Sequence, residues 1–218
     1  MSVATLPAPV TPVPAGAATG TAIDCLIVHR GNTPRDALGN RISDAGRWLV
    51  TTAAADLYGT DLRGRLTRDE HHRWQVPEHG MHLSVAHCGQ YSVVALTTAT
   101  EVGVDVQDER DRPLALAWLG DLLGHPAGRP ATIRDFVECE ALIKASHLTK
   151  ETFAGVRLPG WRYGWRPAQV GYQLLSTELG VDMQVAIAAR EAVPVRWWWQ
   201  RRGQAGPRRI NDPAEVRA

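Results

Sequence analysis

At 218 residues with 44% hydrophobic and 22% charged side chains, the chain can bury a full core in one large domain or two closely packed halves, which excludes wholesale disorder. Its 24 basic and 23 acidic residues leave a net charge of +1, so no whole-protein field draws it to nucleic acid or a membrane surface. Cys25, Cys88 and Cys139 never form a C-x-x-C pair, which argues against a disulfide framework or zinc knuckle and fits a reducing cytoplasm.

Residues 1–21, rich in Ala, Pro, Thr and Gly, lack both a basic n-region and a sustained apolar stretch, and read as a flexible tail rather than a secretory signal. Nowhere is there the run of about 18 to 20 apolar residues that a membrane span needs. Ser43 and Asp44 offer N-caps and Gly59 a C-terminal stop, predicting a helix over 44–58. Two β-rich runs, 82–87 and 91–99, flank Cys88-Gly89-Gln90 and predict a hairpin, followed by a third strand over 102–107. A short helix over 114–123 is stopped by Gly124 and Pro126. Thr132 and Asp135 have capping-pair spacing ahead of a helix whose stripe of Phe136, Leu142 and Ile143 carries it to about residue 147. Strands over 170–177, 183–189 and 195–199 precede an irregular tail at 201–218. This order predicts an α+β fold rather than a parallel doubly wound sheet, with an N-terminal half at 22–106 and a C-terminal half at 107–200.

Two segments concentrate the chemistry. Val102-Gly103-Val104-Asp105-Val106 reads as a buried strand bearing one carboxylate, which needs a cation, a donor or water. Glu140 and Lys144, at i and i+4, share a helix face. Alone they make an ordinary exposed ion pair contributing ~0.3–0.5 kcal/mol.

In combination with Leu83-Ser84-Val85-Ala86-His87-Cys88-Gly89 upstream, the chain resembles the 4′-phosphopantetheinyl transferases of the larger single-chain type that serve natural-product and siderophore pathways. Asp44-Ala45-Gly46-Arg47 and Arg73-x-x-Val76-Pro77 extend the likeness, which covers roughly Asn32 to Ala189. The resemblance implies two similar α+β halves with coenzyme A at their junction, acting as a cytoplasmic monomer. It implies Mg2+-dependent transfer of the phosphopantetheine arm to a serine of an apo acyl or peptidyl carrier protein, releasing adenosine 3′,5′-bisphosphate. Asp105, Glu140 and Gln107 then fall at the metal positions; Glu140, Lys144 and Asp105 carry the catalysis. His87, Arg47, Arg73 and Lys144 fall at coenzyme-binding positions, with Arg41 and Arg35 as further candidates.

The pattern departs from the family at three places: Cys139 replaces the lysine usual before the glutamate, Gln107 a second strand carboxylate, and Ala86 a serine. A degenerate relative that binds a carrier or coenzyme without transfer is therefore the alternative. The segment Arg110 to Arg134, with Leu114, Leu116, Trp118 and Leu119 beside its arginines, is either the docking edge for an acidic carrier or a helix packed into the core. Other chemistries have weaker support. No base is fixed beside Cys88 or Cys139, and His71, His72, His79, His82 and His87 match no zinc ligand spacing. Trp197-Trp198-Trp199 before a basic tail could stack single-stranded nucleic acid, but reads better as an edge strand packing its tryptophans.

Overall fold

The computed structural model describes residues 21–30, 40–71, 73–201 and 204–216, with the side chains of 40–45 excepted. In chain order the elements are β1 (Ile23–His29), α1 (Asn40–Tyr58), β2 (Thr67–Arg68), β3 (Trp74–Val76), β4 (Met81–Cys88), β5 (Tyr91–Thr97) and β6 (Val102–Asp108). Then come α2 (Pro113–Leu122), α3 (Ile133–Ala145), β7 (Arg166–Pro167), β8 (Gln173–Leu179), β9 (Met183–Ala189), β10 (Val195–Arg201) and β11 (Arg208–Ile210). The fold is α+β. One sheet has the order β11-β10-β1-β5-β4-β3-β2 and the other β6-β9-β8-β7. Neighbours are antiparallel except β1 and β10, which run parallel.

Three apolar clusters set the layering. Alternate residues of β1, β5, β6, β9 and β10, such as Ile27, Val93, Val104, Ile187 and Trp199, form a core shared by the two sheets. The opposite face of the first sheet is covered by α1 through Leu49, Val50, Ala53 and Ala54. Helix α3 covers the second sheet through Val137, Ala141, Leu142 and Ala145 against Leu174, Ala186 and Ala188. Its start is fixed as the spacing predicted: Thr132 Oγ1 accepts from Asp135 N at 3.1 Å, and the Asp135 carboxylate accepts from Thr132 N at 2.7 Å.

The V-G-V-D-V-Q run is explained by this layering. Val102, Val104 and Val106 enter the shared core, so Gly103, Asp105 and Gln107 lie on the opposite face, against α3. A methyl group on Gly103 would collide with the Ala141 carbonyl oxygen and the Ala145 amide, so glycine is what lets α3 lie directly on β6. Gly103→Ala is expected to destabilise the fold by about 1–3 kcal/mol, read as a fall in urea midpoint. An unchanged midpoint would mean that α3 is free to lift from the strand.

Several boundaries differ from the sequence reading. Strand β1 was not anticipated, because Asp24 interrupts its apolar run; the carboxylate is buried but satisfied by Arg196, Trp198 and Tyr58. Strand β8 begins at Gln173 rather than 170, since Gly171 (φ 77°) forms the turn that returns to Ala168. Residues 201–218, expected to be irregular, include β11, which pairs with β10. Strand β10 is therefore interior, not an edge, and Trp197, Trp198 and Trp199 are buried within the molecule rather than offered as a stacking platform. The expected division at 106/107 falls inside β6, which joins the second sheet, while β10 joins the first. The tail through residue 20 lies outside the described residues. Among the described residues no helix is long and apolar enough to cross a membrane, and all three cysteines are free and buried.

Candidate active site

The free edge of β6 lies against β4, where Val104 N donates to Ser84 Oγ at 3.0 Å. Beside this seam α3 presents its polar edge. Lys144 Nζ donates to Asp105 Oδ1 at 2.6 Å and to the Val104 carbonyl at 3.1 Å. Asp105 is 4% exposed, so the strand carboxylate is held as a buried ion by an ammonium and, at Oδ2, by Gln107 Nε2 at 3.0 Å. One turn back, Glu140 has a looser ion-pair partner in Lys150, at 3.9 Å. Burial, and then the negative charge of Asp105, raise the Glu140 carboxyl above its usual range; Lys144 and Lys150 pull the other way without prevailing.

That imbalance bears on whether a cation could be held here. A half-buried carboxylate raised by the charge of a second one lacks a compensating cation, and a hard divalent ion that takes its remaining ligands from water and phosphate would supply it. Asp105 and Glu140 are the pair that could hold Mg2+ in this way. An all-protein cage does not fit: among the described residues no group of three or more His, Cys, Asp or Glu side chains is placed to bind a metal. Gln107 corrects the expected ligand set. Its amide nitrogen faces Asp105 and its oxygen accepts from Arg112 at 2.8 Å, so it orients Asp105 instead of offering an oxygen to a cation.

On the α1 side, His87 lines a cleft of about 170 Å³ with Gly46, Arg47, Arg68, Trp74 and Val85. Its Nδ1 is 2.6 Å from Ser92 Oγ, and Nε2 faces α1, where Gly46 leaves room: a Cβ there would sit 3.0 Å away. Burial, then the positive charges of Arg30 and Lys144, push the imidazole down to about 4. A depressed histidine stabilises the fold fully above its unfolded value of 6.5 and loses that contribution as pH falls from there toward 4. The loss expected is about 3 kcal/mol. His87→Gln should remove most of this slope between pH 7.5 and 5 in urea titrations; equal slopes would reassign the acid sensitivity to other groups.

The expected arginines divide. Arg47 lines the cleft with His87, while Arg35 and the side chain of Arg41 lie outside the described residues. Arg73 is committed elsewhere: it binds Asp69 at 2.6 Å, Glu101 at 3.1 Å and the Ala145 carbonyl at the end of α3 at 2.9 Å. It therefore braces the helix that carries Lys144, and does not line the cleft. Arg68 lines it instead, with its guanidinium 4.3 Å from the Trp74 ring centroid. No local sequence pattern marked Arg68; it reaches the cleft because β2 pairs with β3, where Arg68 opposes Trp74. Cys139 is 4% exposed in the α3 core, one position off the polar edge, so the face that carries Glu140 and Lys144 loses no exposed cation to this replacement.

No protein-family model matches this chain, and no curated protein matches it.

Proposed function

We propose that this chain is a 4′-phosphopantetheinyl transferase that moves the phosphopantetheine arm of coenzyme A to a carrier-protein serine. The observation that carries the reading is the convergence of Asp105, Glu140 and Lys144 at the seam where β6 meets β4, within the electrostatic reach of His87. A second support is topological. The orders β1-β5-β4-β3 and β6-β9-β8-β7 repeat one antiparallel pattern, each with its main helix between the first strand and the remaining strands. We read these as two similar halves.

In this reading the serine oxygen bonds to the phosphorus of the pantetheine phosphate, the pyrophosphate P–O bond breaks, and adenosine 3′,5′-bisphosphate leaves. Glu140 takes the serine proton, for which a raised pKa is suited. Lys144 holds Asp105 and places positive charge beside the leaving phosphate. Arg47 and His87 receive the distal phosphate of the coenzyme. Magnesium, when bound, offsets charge growing on the phosphate oxygens.

The carrier partner has a candidate surface on α2. Leu114 is 86% and Trp118 55% exposed, while Leu119 is buried, so the helix packs one side and leaves apolar residues outward. A narrow apolar slot lined by Trp118, Leu122, Phe136, Ile143 and Phe153 leads from this face to Glu140. Arg112 is tied to Asp108 and Gln107, so exposed Arg129 is the cleaner site for charge reversal.

The reading is tested by intact-mass spectrometry of apo acyl and peptidyl carrier proteins incubated with the chain, coenzyme A and magnesium, against a chelated control. A metal-dependent phosphopantetheine mass gain is expected. Coenzyme binding with no gain on any carrier would instead favour the non-catalytic relative, and loss of both would remove the resemblance as a guide.

A further inference from the structure

The segment between α3 and β7 carries an exposed aromatic feature that the transfer reading does not use. Trp161 and Tyr163, set between Gly160 and Gly164, are 49% and 89% exposed. Their rings meet edge to face, with centroids 4.8 Å apart and planes at 64°, and the guanidinium of Arg134 lies 4.8 Å from the Trp161 ring centroid. The two rings form an open corner, oriented by each other and by the first turn of α3. Single exposed aromatics are ordinary; a paired and pre-oriented set calls for an occupant. Among the described residues the Trp161 indole N–H and the Tyr163 hydroxyl have no hydrogen-bond partner, so the corner also offers donors.

The occupant is indicated by where the chain enters the fold. Thr21 is exposed, and two residues later Ile23 N donates to the Pro194 carbonyl at 2.9 Å. The adjacent Val193 carbonyl accepts from Trp165 Nε1 at 2.8 Å. Trp161 is four residues from Trp165, at most about 14 Å of chain. The 20 residues ahead of Thr21 therefore start close to the corner. They contain no Asp, Glu, Lys or Arg, and they carry Pro7, Pro9, Pro12 and Pro14 with Ala8, Val10 and Val13 between them. Proline brings a carbonyl acceptor, no N–H and a flat apolar ring, which suits a surface made of donors and aromatic faces. At roughly 3.1 Å per residue in the polyproline form, the stretch from Pro14 to Thr21 reaches about 22 Å. Tethering strengthens the contact: a short linker gives a local concentration in the millimolar range, so a contact with a Kd of about 1 mM in trans is about half occupied in cis.

We infer that the Trp161–Tyr163 corner is a docking surface for proline-rich segments, and that residues 7–14 of this chain are its occupant. The inference is independent of phosphopantetheine transfer. Acidic macromolecules are the competing occupants, because Arg134, Arg157 and Arg162 surround the rings. The segment joined to the corner carries no acid, and meets it through ring contact and carbonyl acceptors instead.

The test is a nitroxide attached at Thr11→Cys in the full chain, where Cys25, Cys88 and Cys139 are buried and slow to label. Its effect is read on the tryptophan indole N–H resonances. Trp161 should lose most of its intensity, well beyond the exposed indoles of Trp48 and Trp118. Replacing the four prolines together by serine keeps the length and so measures the broadening that proximity alone produces; it should restore most of the Trp161 signal. Tyr163→Ala, at a side chain too exposed to support the core, should lower the docked fraction about 2- to 10-fold. Broadening strongest at Trp48 or Trp118, or a Trp161 signal indifferent to both variants, would overturn the assignment. Oligo-dT and polyglutamate form the second arm. If either shifts the Trp161 resonance while the label at position 11 leaves it unbroadened, the corner belongs to an acidic partner and the proposal falls.

Discussion

Glu140→Gln is expected to reduce phosphopantetheine transfer by about 10²- to 10⁴-fold, the loss typical of a missing general base, while making the folded protein more stable. Both effects come from one feature. The carboxyl is raised by burial first and by the Asp105 charge second, with Lys144 and Lys150 only partly compensating. A carboxylate raised on folding is destabilising in its ionised form. The penalty is absent below the unfolded pKa, grows as pH rises through the folded one, and is full above it. Glutamine keeps the shape and removes the charge, so its gain should appear at pH 7.5 and vanish near pH 4. Each kcal/mol recovered corresponds to roughly 2–4 °C in a chain of this size. A Gln variant less stable than wild type at pH 7.5 would mean that Glu140 is held by attraction, and the metal and base assignments would both lose their electrostatic basis.

Glu138→Ala is expected to cost about 3–5 kcal/mol, the largest stability loss anticipated for any single change outside the shared core. Glu138 and Arg166 are each 1% exposed, and Arg166 NH2 sits 2.6 Å from Glu138 Oε1. Ser176 Oγ closes the triangle, donating to the same carboxylate oxygen at 2.6 Å and accepting from Arg166 NH2 at 2.8 Å. Removing the glutamate leaves a fully enclosed guanidinium, whose Nε already lacks a partner. The double replacement Glu138→Leu with Arg166→Met should recover much of the loss, because paired apolar groups carry no stranded charge. Additive losses in urea denaturation would show that the two residues do not act as a pair. The triangle also fixes how α3 faces the second sheet, by tying it to β7 and β8. Transfer by the double variant should therefore fall even where stability is restored, if the helix rotates and moves Glu140 and Lys144 off β6.

Much of the local structure was legible because it is written in short-range patterns. The Thr132 and Asp135 spacing marked the start of α3, the Gly89 turn separated β4 from β5, and the valine alternation in β6 separated a core face from the face that meets α3. The candidate site was partly legible for the same reason: Glu140 and Lys144 lie one helical turn apart, and Asp105 is the polar break in an apolar strand. What stayed hidden depends on pairing at a distance. Nothing near Arg73 announces Glu101 or the Ala145 carbonyl, and nothing near Arg68 announces His87. The inward position of Cys139 was hidden in another way. It differs from that of its neighbour Glu140 by a single step of about 100° around the helix, and only packing against the second sheet decides which of the two is buried.

The seam between β1 and β10 has a consequence for how the protein is made. Asp24 and Arg196 are 172 positions apart, yet among the described residues Trp198 and Arg196 supply all but one of the donor side chains that reach the Asp24 carboxylate. While a ribosome is still synthesising the second sheet, β1 has one open edge and a carboxylate met, among the described residues made by then, by Tyr58 alone. The first sheet cannot be completed until β10 is made, after every strand of the second sheet. Despite its repeated strand order, the chain is therefore not divisible at its midpoint: a gene cut there would yield a leading fragment missing the strand that closes it.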